Sequence, residues 1–106
     1  MLTKTLLATA LFASFIAPLA ASAGEVENRI HHENARIDQG VRNGSLTAGE
    51  YRRLDNGADR LQTERNRDLR RDGGHLTAGQ YHSLNHQENN LSDRIYFDKH
   101  NQARQH

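Results

Sequence analysis

Hydrophobic positions recur every three or four residues along most of the chain after residue 25. The first set, Val26, Ile30, Ile37 and Val41, advances by four, seven and four residues. Such spacing places a set on one face of a helix. We therefore predict an all-α fold of three amphipathic helices near 26–42, 48–72 and 78–100, forming a helical hairpin or a small bundle. The other two sets are Tyr51, Leu54, Ala58 and Leu61, then Tyr81, Leu84, Leu91 and Ile95 with Glu88 filling one slot.

An eleven-residue string occurs twice, thirty residues apart. The copies, Gly44–Leu54 and Gly74–Leu84, share seven identities. In each copy a threonine precedes a glutamate or glutamine by three residues, which is the pattern of a capping box at a helix start. The glycines before each threonine suit the end of the preceding helix, so the turns should be tight. The predicted cap residues are Thr47, Glu50, Thr77 and Gln80.

Residues 1–23 have the pattern of a secretory signal peptide. Lys4 precedes an apolar run over residues 6–17, and Ala21-Ser22-Ala23 forms a small-x-small cleavage site. The apolar run is shorter than the roughly 20 residues of a membrane-spanning helix. We therefore expect cleavage after Ala23, a periplasmic or secreted location, and no stable membrane insertion of the cleaved chain. Residues 24–106 should form a single small helical domain with the internal 30-residue repeat.

Composition limits the partners of that domain. Its 12 Arg and one Lys balance 13 Asp and Glu, so it lacks the basic excess of nucleic-acid binders, and we predict no nucleic-acid partner. The arginines of the second helix alternate with acidic residues, which favours a salt-bridged solvated face. The chain has no Cys, so no disulfide can stabilise so small a domain. Helix packing and association, either as a homodimer or with a protein partner, should do so.

Histidines provide the main candidate chemistry. His82 and His86 stand four residues apart on the third predicted helix, which puts both imidazoles on one face. Asp93 and His100 continue the same stripe, away from the apolar face. Imidazole and carboxylate groups bind Zn, Cu and Ni. A histidine-based transition-metal binding or buffering protein is therefore the alternative function; the candidate metal ligands are His82, His86, Asp93 and His100.

Catalytic patterns are absent from the sequence. There is no cysteine nucleophile, no G-x-S-x-G element and no glycine-rich loop after a strand. The small apolar content would also make a concave site difficult to build. We expect a protein that is not an enzyme and that requires no cofactor for its leading function.

The two leucine-threonine strings carry a resemblance to a known family. Leu46-Thr-Ala-Gly-Glu50 and Leu76-Thr-Ala-Gly-Gln80 resemble the L-T-x-x-Q element of CpxP/Spy-type periplasmic stress proteins. Their layout is also similar to small exported bacterial helical proteins with paired G-x-L-T-x-x-E/Q units. The family resemblance implies helical hairpins, often dimeric, that bind unfolded clients or sensor proteins. The leading expectation is thus a non-enzymatic, exported binding or envelope-stress interaction protein, whose contact surface is an apolar groove between the helices together with Phe97, which lies off the apolar stripe.

Overall fold

Three helices make up the molecule. The computed structural model describes residues 20–101, in which α1 spans Ala20–Arg42, α2 spans Ala48–Arg71 and α3 spans Ala78–His100. Each helix packs against the other two, and residues 20–101 contain no strand. The predicted all-α, three-helix fold is therefore confirmed, in the form of a small bundle. Most of the predicted signal peptide and the tail after residue 101 lie outside the described residues.

Both copies of the repeat form capping boxes. Thr47 Oγ1 accepts a hydrogen bond from the Glu50 amide at 3.1 Å, and the Thr47 amide donates to Glu50 Oε1 at 2.9 Å. Thr77 and Gln80 repeat this pair of bonds at 3.1 and 2.8 Å. These bonds satisfy amides that have no partner within the helix, which fixes where α2 and α3 begin.

The first helix begins earlier than its apolar stripe predicts. It starts at Ala20 instead of residue 26, because alanine has high helix propensity and Ala23 also contributes to the core. Ala23 is 7% exposed and Val26 only 1%. The predicted cleavage after Ala23 would therefore fall inside the first turns of α1.

The packing of the turn between α1 and α2 depends on a buried glycine near the end of α1. Val41 was expected on the apolar stripe but is 38% exposed, whereas Gly40 is buried. Leu46, 1% exposed, occupies the space beside Gly40, where an added Cβ would lie 2.6 Å from Leu46 Cδ1. The stripe of α1 thus ends at Gly40, and the leucine from the next turn closes that end of the core.

Contacts between helices define their directions. Arg29 and Arg36 on α1 contact Asn85 and Ser92 on α3 in the same order, so α1 and α3 run parallel. Arg65, near the end of α2, contacts Ala23 near the start of α1, so α2 runs antiparallel to them. Leucines and isoleucines fill the space between the three helices; the largest buried apolar side chains are Ile30, Ile37, Leu46, Leu54, Leu76, Leu84, Ile95 and Val26.

Candidate functional site

Two buried carboxylates lie in the middle of the bundle. Glu33 on α1 is 2% exposed and Glu88 on α3 is fully buried. Each occupies a slot of its helix's apolar stripe: Glu33 lies between Ile30 and Ile37, and Glu88 follows Leu84 by four residues. Acidic residues are seldom buried without compensating partners, so the groups around this pair decide its properties.

Arg29 connects the two carboxylates. Its Nε lies 3.3 Å from Glu88 Oε2, and its Nη2 lies 3.7 Å from Glu33 Oε1. The same guanidinium donates to Asn85 Oδ1 and, at 2.9 Å, to Asn89 Oδ1. One half-buried arginine thus forms ion pairs with two carboxylates and links α1 to α3.

The neighbouring groups do not provide hydrogen bonds to all of the buried carboxylate oxygens. Glu33 Oε2 and both carboxylate oxygens of Glu88 accept no hydrogen bond from the described residues, and the Arg29 contact to Glu88 is an ion pair only. Desolvation by burial raises the pKa of each carboxyl to about 7, although Arg29 lowers both and Arg36 also lowers that of Glu33. The charge of Glu33 adds to the rise at Glu88. Each carboxyl of the pair therefore gains or loses its proton near neutral pH.

A shallow cleft opens beside this pair. It measures about 260 Å³ and is lined by Arg29, His32, Glu33, Arg36 and Ser92. Arg36 Nη1 donates to Ser92 Oγ at 2.7 Å across the cleft. We call the buried carboxylates and these bridging residues the polar seam; its members are Arg29, Glu33, Arg36, Asn85, Glu88, Asn89 and Ser92.

Arg65 has a different role from the one its position suggests. The repeat aligns it with the core residue Ile95, a position where a charged side chain would interrupt the apolar packing. Instead Arg65 is 9% exposed: its Nε donates to the Ala23 carbonyl at 3.1 Å, and its Nη2 lies 3.2 Å from Glu27 Oε2. The arginine stem covers the core while its head joins α2 to α1.

The predicted metal ligands all lie on the exposed side of α3. His82, His86, Asp93 and His100 are exposed, and His100 Nδ1 lies 2.7 Å from the Tyr96 carbonyl oxygen. At 1.5 Å per residue, His82 and His100 are separated by about 27 Å along the helix, too far to share an ion. Within residues 20–101 no group of three or more histidine or acidic residues is arranged to hold a metal. His82 and His86, one turn apart, are the pair that can approach one ion together.

The predicted salt-bridged face of α2 is not observed. In the described part of the chain, Arg65 is the one arginine of α2 that forms an ion pair. Alternating charges along α2 form no ion pairs with one another within the described residues, and two of the carboxylates bond to uncharged groups instead. Glu64, for example, accepts a hydrogen bond from Gln87 Nε2 on α3 at 2.6 Å.

Large apolar side chains reach the surface near the end of α3. Tyr96 is 61% exposed and Phe97 is 60% exposed. The Tyr96 ring stacks on His100 with ring centroids 4.1 Å apart, whereas Phe97 has no ring contact within residues 20–101. A separate apolar depression of about 240 Å³ lies at the corner of α1 and α2; its lining includes Val41, Leu46 and Tyr51.

Sequence signals for the polar seam were present but incomplete. Glu88 was visible as a polar residue in an apolar stripe. Glu33 was signalled only by the seven-residue gap between Ile30 and Ile37, which leaves one core slot to be filled. The link through Arg29 depends on the register between α1 and α3, which no local pattern specifies.

Comparisons with known proteins identified no relative of the chain. No protein-family model, curated protein or solved structure matches the chain. None of the helices within residues 20–101 has the length and apolar character needed to cross a bilayer.

Proposed function

We propose that this protein is an exported, non-enzymatic binding protein that contacts other proteins, in the manner of envelope-stress interaction proteins. The observation that supports this proposal is the exposed Tyr96–Phe97 pair. Aromatic residues supply much of the binding energy in protein interfaces, so two exposed in succession suit contact with a protein partner. The resemblance in the repeated leucine-threonine strings favours the same class of function.

A client-protection assay tests the proposal. We expect the protein to delay aggregation of a chemically denatured client at equimolar ratio. Phe97→Ser and Tyr96→Ser should weaken this effect, because each removes exposed aromatic surface without opening the core. His86→Ser, at an exposed site on the same helix and outside the aromatic pair, is the matched control. Wild-type protein that gives no delay, or aromatic variants as protective as the control, would contradict the proposal.

Export has its own test. We propose a periplasmic or secreted location with cleavage after Ala23, on the basis of the charged, apolar and small-residue sections of residues 1–23. N-terminal sequencing of protein recovered from the periplasm or medium should begin at Gly24. Recovery in the cytoplasm with residues 1–23 intact would exclude this location.

Transition-metal binding is a second candidate function. The supporting observation is that His82 and His86 are both exposed and one turn apart on α3. Calorimetric titration with Zn²⁺ and Cu²⁺ should give a binding heat that His82→Ala and His86→Ala each abolish. His75→Ala, at an exposed histidine outside the pair, should leave it unchanged. The same heat in all three variants would show that the pair is not the site.

A further inference from the structure

A groove between α2 and α3 is lined by three arginines. Two adjoining depressions, of about 260 and 400 Å³, share Arg60, Leu91 and Arg94, and Arg53 lines the smaller one. We call this feature the arginine groove and define it by Arg53, Arg60 and Arg94. It lies outside the polar seam, on another face of the bundle.

The three guanidinium groups of the groove have no direct hydrogen-bond or ion-pair partner within residues 20–101. None of them forms a hydrogen bond or an ion pair with a described residue. Arg53 and Arg94 act at longer range on Asp98, which is 3% exposed and whose pKa is raised by desolvation in spite of them. Arg53 also acts on Glu50, whose carboxylate is already held by Thr47 and Asn101. The three guanidinium groups therefore have no direct partner in the described part of the chain, and the carboxylates of Asp98 and Glu50 act on Arg53 and Arg94 only at longer range.

The base of the groove is apolar and open. Leu54 and Leu91 line it, and Gly57 provides the space above them. A Cβ at Gly57 would lie 3.3 Å from Leu91 Cδ1, so a side chain here would crowd the base. Glycine in a helix interior is less favourable than alanine, and this close approach of α2 to α3 accounts for its use.

We propose that the arginine groove binds an acidic segment of a protein partner, one in which every third residue is a carboxylate and the residues between are apolar. Guanidinium groups form paired hydrogen bonds with carboxylates, and an apolar base suits the intervening side chains. Arg53 and Arg60 are seven residues apart on α2, about 10 Å along the helix. One isolated anion cannot bridge that span, whereas carboxylates three residues apart on a segment in the polyproline II conformation face the same side and are separated by about 9 Å.

This inference rests on the proposed protein-binding function and adds the chemistry of the partner. Phe97 lies three residues beyond Arg94, which places both on neighbouring parts of the α3 surface. A partner segment in the groove could therefore also reach the exposed aromatic ring.

Fluorescence anisotropy with a defined probe tests the inference. The probe is a short labelled peptide with glutamate at every third residue and leucine and proline between, and its control has glutamine at every glutamate. At roughly 0.05 M salt, where screening is weak, we expect the acidic peptide to bind at least about tenfold more tightly than the amide peptide. The triple variant R53Q/R60Q/R94Q should lose this preference, whereas R52Q/R70Q/R71Q, with the same loss of charge on exposed arginines of α2, should retain it.

A second variant tests the groove without changing charge. Gly57→Ala should weaken binding of the acidic peptide severalfold while leaving the helical circular dichroism unchanged, because alanine favours the helix but narrows the base. Equal losses in the two arginine triple variants would show that net charge is responsible and would overturn the inference. Stronger binding to inorganic phosphate or to phosphatidylglycerol vesicles than to the peptide would also overturn it.

The two proposals fail separately. If Phe97→Ser abolishes client protection while acidic and amide peptides bind alike, the inference about the groove is wrong and the proposed function stands. If wild-type protein protects no client, the proposed function is wrong whatever the peptides show.

Discussion

Single residues of the polar seam occupy positions that apolar side chains would normally fill. Glu33 and Glu88 are buried between layers of isoleucine and leucine, with Arg29 as their shared cation. Burial of ionised carboxylates is costly unless each is fully paired, and three of their four oxygens accept no hydrogen bond from described residues. The favoured state of the pair is therefore a partly protonated one.

This pair should make the protein more stable in weak acid than in weak base. Each folded pKa is raised from 4.5 to about 7, so the folded state binds more protons than the unfolded state between these values. The contribution is fully present below about pH 4.5 and is lost as pH rises through 7. We expect the free energy of unfolding to fall by at most about 3 kcal/mol between roughly pH 5 and pH 8, with the coupled pair counted once.

Urea unfolding of Glu88→Gln across this pH range measures the effect. The variant should be more stable than wild type at about pH 8 and nearly equal to it at about pH 5, because glutamine carries no charge to desolvate. Asp93→Asn, at an exposed carboxylate of the same helix, should follow the wild-type profile. If the free energy of unfolding of the wild type stays constant or rises from about pH 5 to about pH 8, the raised pKa values of Glu33 and Glu88 are ruled out.

The repeated cap sequences set the residues at which α2 and α3 begin. Glu50 and Gln80 make the same bonds to Thr47 and Thr77, but Glu50 is buried and also accepts a hydrogen bond from Asn101 at 2.7 Å. Desolvation raises the pKa of Glu50, yet hydrogen bonds from Thr47 and Asn101 and the charge of Arg53 together lower it. The first copy of the repeat therefore also fastens the end of α3 to the start of α2.

Removing the caps should destabilise both helix starts. Thr47→Ala and Thr77→Ala should each reduce the free energy of unfolding by about 1 kcal/mol, because each leaves an amide at the helix start without its acceptor. Thermal melts followed by circular dichroism would show the loss. Thr63→Ala, exposed within α2, is the control and should change the melt little; a double cap variant that melts like this control would contradict the assigned role.

The whole molecule depends on mutual support among three helices. Each helix contacts the other two, and charged or polar links join distant parts of the chain: Arg29 joins α1 to α3, and Arg65 joins α2 to α1. With an apolar core this small, no pair of helices has a separate core of its own. The bundle should therefore lose its structure in one step.

Unfolding near pH 5 should be a single cooperative transition. Far-ultraviolet circular dichroism reports on all helices, whereas tyrosine fluorescence reports on Tyr51, Tyr81 and Tyr96, which lie near three different helix ends. We expect the two urea curves to coincide. Tyr51→Phe serves as a check that the fluorescence change is not dominated by one tyrosine. Separate midpoints would show that one helix detaches before the others.

Local sequence determined the helices and their boundaries because these depend on contacts a few residues apart. The period of the apolar positions predicted three helices, and the doubled threonine strings placed the starts of α2 and α3 at the observed residues. Glu88 was recognisable as a polar residue in an apolar stripe for the same reason. The start of α1 was placed too late because the alanines before Val26 lack the bulk that makes a stripe visible.

Tertiary structure alone decided which residues from different helices meet. The register of α1 against α3 brings Arg29 between Glu33 and Glu88, and the register of α2 against α3 gathers Arg53, Arg60 and Arg94 into one groove. The sequence showed these charges only as alternating signs on separate helices. The Arg29–Glu33 contact is a local one, four residues apart on α1, but the contact of Arg29 with Glu88 and the grouping of the three groove arginines arise from packing between segments more than thirty residues apart, and no local spacing specifies them.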